Sequence, residues 1–144
     1  MEDTLRNACE SAILHSKPFG PHPDWHFVWI ENPEILASLL ELIPGMEERS
    51  GTDALLGFAR RGSFSAEADA AAAIYRVFCV TQETAPCEFS EPLTLYFHIP
   101  EGQKIAAAFG VPQGFVCIGA LLFSGVRQAL PETEPDWTVF SYVR

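Results

Sequence analysis

The chain has 144 residues and a mass of 15.9 kDa, a length typical of one domain. Hydrophobic residues make up 48% and charged residues 19%, which excludes an intrinsically disordered chain and a charge-rich coiled coil. Nineteen acidic against nine basic residues give a net charge of −10, so nucleic acid and anionic membranes are unfavourable partners. The longest apolar run, 115–123, is far shorter than the roughly 20 residues of a membrane-spanning helix. We therefore expect one soluble, acidic domain over 1–144.

The first three predicted elements are a helix, a strand and a second helix. Apolar residues at helical spacing predict a helix around 5–13, which the Pro and Gly residues of 18–21 end. The aromatic and β-branched run Trp25–Ile30 predicts a buried strand. Asn32 suits an N-cap and is followed by proline, which together predict a helix over 33–43.

The middle of the chain predicts an exposed loop, a strand and a long helix. The polar residues 46–53 indicate the loop, and the apolar run 54–59 indicates the strand. Ser65 is the expected N-cap of a helix over 66–82. The four alanines 70–73 allow a neighbouring backbone to approach closely, so we expect this helix to be the most enclosed one.

Four further elements complete the chain. We predict a strand at 93–99, a short helix at 101–109, and a strand at 115–123 after the turn 111–114. The segment 126–144 contains two prolines and an apolar end, and we expect it to be a C-terminal arm that packs on its own domain or on a partner. Interleaved helices and strands indicate a mixed α and β protein.

No familiar catalytic or metal motif is present. His22 and His26 are four residues apart, but Pro23 between them prevents the helical geometry of a zinc pair, so we predict no metal site. The serine-hydrolase GxSxG, the Walker motif and the dinucleotide-binding GxGxxG are absent from the sequence.

The cysteines and the first residues bear on the cellular compartment. The acidic start Met1–Thr4 lacks the features of a secretory leader, so we expect a cytoplasmic protein. The four cysteines show no CxxC spacing and are expected to be small buried hydrophobic residues. Cys87 follows a proline in a predicted loop and is the candidate for reactivity.

Two segments are candidate binding sites. The run 18–25 places three prolines beside aromatic and titratable residues, which is typical of a stiff binding loop but equally of a rigid connection whose Trp25 packs in the core. Arg60 and Arg61 precede a predicted helix N-terminus, where an anion would be stabilised, but they are also explained as two solvated arginines at a strand end. Both pairs of alternatives remain open.

The order of these segments resembles the FMN-dependent nitroreductase family. The run 17–34, KPFGPHPDWHFVWIENPE, is similar to the family's loop, strand and helix start, in which a segment A-P-S-x-x-N-x-Q-P-W precedes the strand. The alanine-rich start 69–73 resembles that of the family's central helix. The turn 109–112, FGVP, and the strand ending at Gly125 resemble its closing segment.

This resemblance implies an α+β fold with a mainly antiparallel sheet flanked by helices, in an intertwined homodimer with FMN at the subunit interface. It also implies an NAD(P)H oxidoreductase in which the flavin carries the hydride. The cofactor-binding residues that it implies come from the proline-rich loop and from the remaining arginines: Phe19, Gly20, His22, Trp25, Arg61 and Arg127.

The chain departs from the family where the cofactor binds. The arginine-rich segment that holds the flavin phosphate in the family is missing, and the segment 84–89 after the central helix has no glycine. The resemblance therefore leaves two functions open. One is an FMN-dependent oxidoreductase, and the other is a flavin-free scaffold of the same fold that binds a small ligand or a protein.

Overall fold

The computed structural model describes residues 3–16, 24–43, 51–84 and 107–123 of the chain. Three helices and three strands lie in these ranges: α1 (Asp3–Leu14), β1 (Trp25–Ile30), α2 (Pro33–Leu42), β2 (Asp53–Arg60), α3 (Phe64–Thr84) and β3 (Phe115–Phe123). The predicted bounds of β1 and β3 are confirmed, and α2 begins at the predicted proline.

The described strands form one antiparallel sheet in the order β1-β2-β3. Trp25 is opposite Ala59 on one side of β2, and Phe115 is opposite Arg60 on the other. The β2–β3 register shifts between Gly57 and Phe58, which leaves one extra residue on β3 in the manner of a β-bulge. The central strand β2 is therefore paired on both edges.

Helices cover both faces of the sheet. On one face, α1 and α3 pack on a cluster that includes Leu55, Ile118 and Leu121. On the other face, α2 packs on a second cluster that includes Leu56 and Leu122. Because both faces of the sheet are buried, the sequences of β2 and β3 are continuous apolar runs and do not alternate between apolar and polar residues. The described part of the chain thus has the predicted α+β architecture of an antiparallel sheet flanked by helices.

The close packing of α3 on the sheet depends on a glycine. A Cβ atom on Gly57 would lie 2.5 Å from Cδ1 of Ile74 and 3.2 Å from Cε1 of Phe27. Ala70 is fully buried and Ala73 is 1% exposed, so small residues also line the inner side of the helix. The expectation that this helix is closely approached by its neighbours is confirmed.

The predicted N-cap of α3 is wrong. The helix begins at Phe64, and Oγ of Ser63, not Ser65, accepts a bond from the amide of Ala66 at 3.4 Å. Gly62 precedes this cap with φ +82°, a backbone conformation that only glycine adopts readily, and the helix begins two residues earlier than predicted.

The predicted exposed loop 46–53 is wrong at its last residue. Asp53 is the first residue of β2 and is 1% exposed. Its carboxylate accepts a 3.0 Å hydrogen bond from Nε1 of Trp29, so this buried polar group has a partner inside the protein. A prediction based on polarity alone places an aspartate such as Asp53 in a solvent-exposed loop.

The predicted strand 93–99, most of the predicted helix 101–109 and the predicted arm 126–144 lie outside the described residues, so they remain predictions. Within the ranges that are described, no helix is both long and apolar enough to cross a membrane.

Candidate functional site

Residues from three strands meet at one end of the sheet, which we call the arginine end. It comprises Asp24 before β1, Arg60 and Arg61 at the end of β2, and Gly114 and Phe115 at the start of β3. Antiparallel pairing brings these segments together, because a strand that starts at this end is adjacent to one that finishes there. Backbone bonds fix the arrangement: the amide of Arg60 donates to the carbonyl of Asp24, and the amide of Arg61 donates to that of Gly114, each at 2.9 Å.

The two arginines at this end differ in their side-chain contacts. Nε of Arg60 lies 3.2 Å from Oδ1 of Asp24, and its guanidinium carbon lies 5.3 Å from the centre of the Phe115 ring. The charge of Arg60 is thus already engaged by a carboxylate and an aromatic face. The guanidinium of Arg61 makes no ion pair with another described residue. Of the two arginines described at this end, Arg61 is therefore the one available to a ligand.

Arg61 lines a pocket of about 480 Å³. The lining also includes Val111, Pro112 and Gln113 of the turn before β3. Its volume lies within the range of about 300–1,000 Å³ that is typical of small-ligand pockets, and its lining is about equally polar and apolar. The pocket can therefore accept a ligand that combines an apolar portion with a negative charge.

The structure describes two of the six residues predicted to bind a cofactor. Arg61 belongs to the arginine end, and Trp25 is the first residue of β1 next to Asp24, but Trp25 does not line the described pocket. Its half-buried indole packs edge-on against Phe27, with ring centres 5.4 Å apart, beside the cluster under α1 and α3. The other four predicted residues, Phe19, Gly20, His22 and Arg127, lie outside the described residues.

Two of the cysteines are inert by burial. Cys9 is fully buried and Cys117 is 1% exposed, as predicted. Burial raises the pKa of the Cys9 thiol above its usual value and raises the pKa of Cys117 to about 12, so both thiols are protonated at neutral pH. Cys79 is partly buried, and Cys87 lies outside the described residues. In the described ranges, no group of three or more His, Cys, Asp or Glu side chains is placed to hold a metal ion.

Two features of the site were not anticipated from the sequence. The pairing of Arg60 with Asp24 links residues 36 positions apart, and only the strand register brings them together. The turn 111–114 was predicted as a turn, but not as a wall of a pocket. Its Pro-x-Gly pattern next to a strand was the available signal, because such turns hold a rigid surface at a sheet edge.

Comparison with known proteins identifies the fold. No family model matches the sequence, and no curated protein is significantly similar to it in sequence. The structure is similar to a nitroreductase with bound FMN from Bacteroides fragilis, with a TM-score of 0.74 and 14% identity over 100% of this chain and 89% of that one. The structure is also similar to an FMN-dependent nitroreductase from Clostridium difficile, with a TM-score of 0.75 and 13% identity over 99% of this chain and 85% of that one. For a nitroreductase with bound FMN from Desulfitobacterium hafniense, the TM-score is 0.74 and the identity is 14% over 100% of this chain and 88% of that one.

These similarities span almost the whole chain. The chain therefore has the nitroreductase-like α+β fold, and the resemblance indicated by the order of its segments is confirmed at the level of the fold.

Proposed function

We propose that this protein is a nitroreductase-like flavoprotein that binds FMN at the arginine end and acts as an NAD(P)H-dependent oxidoreductase. The observation that carries the proposal is the Arg61 guanidinium, which borders a ligand-sized pocket and has no ion-pair partner among the described residues. Structural neighbours with the same fold bind FMN, which supports the choice of ligand.

The described residues fit FMN in size and in the sign of charge. A phosphate monoester carries roughly −1.5 to −2 charges at neutral pH, and a guanidinium binds it with two parallel charge-assisted bonds. The apolar walls at Val111 and Pro112 suit a flat aromatic ring. When bound, the flavin supplies the hydride chemistry, and the protein binds it, orients it and excludes water.

Arg61 is proposed to hold the phosphate, with Arg127 as a second cation. Phe19, Gly20, His22 and Trp25 are proposed to border the ring system. The proposal also includes a homodimer with the flavin between the subunits, as the family resemblance implies, and a cytoplasmic location.

One observation favours the flavin-free alternative. The described lining of the pocket includes a single cation, Arg61, for a group with nearly two negative charges. A ligand with one negative charge, such as a small carboxylate, would match that cation better. The alternative function is therefore a binding module of the same fold.

The test is to purify the protein after supplementation with FMN and to record visible absorption after desalting. We expect retained flavin absorption, and we expect excess FMN to raise the midpoint of thermal unfolding, since a ligand that binds the folded state stabilises it. A colourless protein that FMN does not stabilise would reject the flavoprotein and leave the binding module.

Variants at two arginines locate the site. Arg61→Ala should weaken FMN binding by about tenfold or more, because it removes a charge-assisted contact. Arg76→Ala is the matched control, because Arg76 is an exposed arginine on α3 that does not line the pocket. Equal affinities of the two variants would place the phosphate elsewhere. Sedimentation at micromolar concentration tests the homodimer separately.

A further inference from the structure

Arg60 binds the same neighbour in two ways. Its backbone amide donates to the Asp24 carbonyl at 2.9 Å, and its Nε lies 3.2 Å from the Asp24 carboxylate. The guanidinium also lies over the Phe115 ring. These contacts hold the side chain of Arg60 toward β1 and β3. Arg60 is not among the residues that line the pocket.

Asp24 would otherwise be a competitor at the site. Adjacent strands are about 4.8 Å apart, so Asp24, opposite Arg60, lies within about one Debye length of the Arg61 backbone. The Asp24 side chain is 40% exposed, so it can change rotamer. A free carboxylate there would weaken the binding of an anionic ligand at Arg61 by like-charge repulsion. In a chain of net charge −10, few cations are available to prevent this.

We propose that Arg60 is a positioning residue that neutralises Asp24 and thereby keeps Arg61 available for an anionic ligand. The inference rests on the proposed function in one respect, namely that the ligand carries a phosphate. The two arginines thus have different roles. Arg61 contacts the ligand, and Arg60 forms an ion pair with the Asp24 carboxylate that would otherwise interfere.

The decisive experiment is a double-mutant cycle with Arg60→Ala, Asp24→Asn and the double variant, measured as the dissociation constants of FMN and of inorganic pyrophosphate. Alanine keeps the backbone amide of residue 60, so the bond to the Asp24 carbonyl is retained. We expect Arg60→Ala to weaken binding about fivefold, the scale of an exposed charge interaction. The dissociation constant of Asp24→Asn should stay within about twofold of the wild-type value. That of the double variant should also lie within about twofold of the wild-type value.

Two further measurements separate the proposed role from a general structural one. Arg60→Lys, which keeps the positive charge, should bind nearly as well as the wild type. The deficit of Arg60→Ala relative to the wild type should shrink as salt is raised, because the interference from Asp24 is screened. Denaturation midpoints of all variants establish that each one is folded, and Arg60→Gln serves in place of Arg60→Ala if the latter unfolds.

The outcomes distinguish this inference from the proposed function. A double variant as weak as Arg60→Ala would overturn the inference, since Arg60 would then act on the ligand or on the fold directly. Binding of pyrophosphate through Arg61 without binding of FMN would reject the flavoprotein, and the cycle on pyrophosphate would still decide the role of Arg60. FMN binding that does not depend on Arg61, or binding of neither probe, would overturn the inference.

Discussion

The indole of Trp29 donates a 3.0 Å hydrogen bond to the carboxylate of Asp53, a residue that is only 1% exposed. The Trp29 ring also lies 5.2 Å, centre to centre, from the ring of Phe123. Asp53 begins β2 opposite Phe123, so this group of contacts joins all three described strands at the end of the sheet away from Arg61. The buried side chain at the start of β2 is thus a carboxylate and not an apolar group.

Removing this carboxylate should destabilise the fold. We expect Asp53→Ala to lower the free energy of unfolding by about 2 kcal/mol, because the half-buried indole N–H loses its acceptor. Asp53→Asn keeps an acceptor oxygen and should cost about half as much. Urea denaturation followed by tryptophan fluorescence measures both, and equal stabilities of the alanine variant and the wild type would contradict the role of the bond.

Gly57 should be intolerant of a methyl group. Gly57→Ala places a Cβ atom 2.5 Å from Cδ1 of Ile74, and we expect a loss of about 1–3 kcal/mol from overpacking. Ile74→Val removes that same Cδ1 atom and alone should cost about 1 kcal/mol. The free energy of unfolding lost by the double variant should therefore be about 1 kcal/mol smaller than the sum of the two single losses. Strict additivity in denaturant titrations would show that the clash is not the cause.

Asn32 should stabilise the start of α2. Its side-chain oxygen accepts bonds from the amides of Glu34 at 3.0 Å and Ile35 at 3.1 Å. Asn32→Ala removes both acceptors and should cost about 1 kcal/mol, whereas Asn32→Asp should be nearly neutral because it keeps an acceptor oxygen. Thermal unfolding by circular dichroism compares the two, and the same loss in both variants would argue against capping.

Cys117 should make the protein less stable in alkali. The usual pKa of a cysteine thiol is about 9, and burial raises the pKa of Cys117 to about 12 in the folded chain. Below pH 9 both states keep the proton, so stability is unaffected. Above that pH the unfolded chain loses the proton first, and the free energy of unfolding falls by about 1.4 kcal/mol per pH unit until the folded thiol also ionises.

The matched variant is Cys117→Ala, which lacks this titration. Between pH 8 and about 10.5 it should lose about 2 kcal/mol less stability than the wild type, whatever its own stability at neutral pH. The comparison uses urea denaturation at several pH values, and parallel curves for the two proteins would contradict the raised pKa.

Local sequence patterns were sufficient for much of the described secondary structure. The strands Trp25–Ile30 and Phe115–Phe123 were predicted with their observed bounds, because apolar runs between proline- and glycine-rich turns leave few alternatives. The start of α2 was predicted from Asn32 and Pro33, whose conformational preferences act within one turn of helix. The start of α3 was misplaced because Ser63 and Ser65 are both acceptable caps, and the choice depended on the turn at Gly62.

The sequence alone therefore determined the order and the approximate bounds of the described helices and strands and indicated the nitroreductase-like fold, since helix and strand formation depends largely on residues close in the chain. Tertiary structure decided which charges are buried, paired or available. Asp53 is buried and bonded to Trp29 on another strand, and Arg60 is paired with Asp24, whereas Arg61 lines a pocket. Those partners are brought together only by strand register, and the energy of a charge depends on its distance to others and on its exposure to water, which no local pattern encodes.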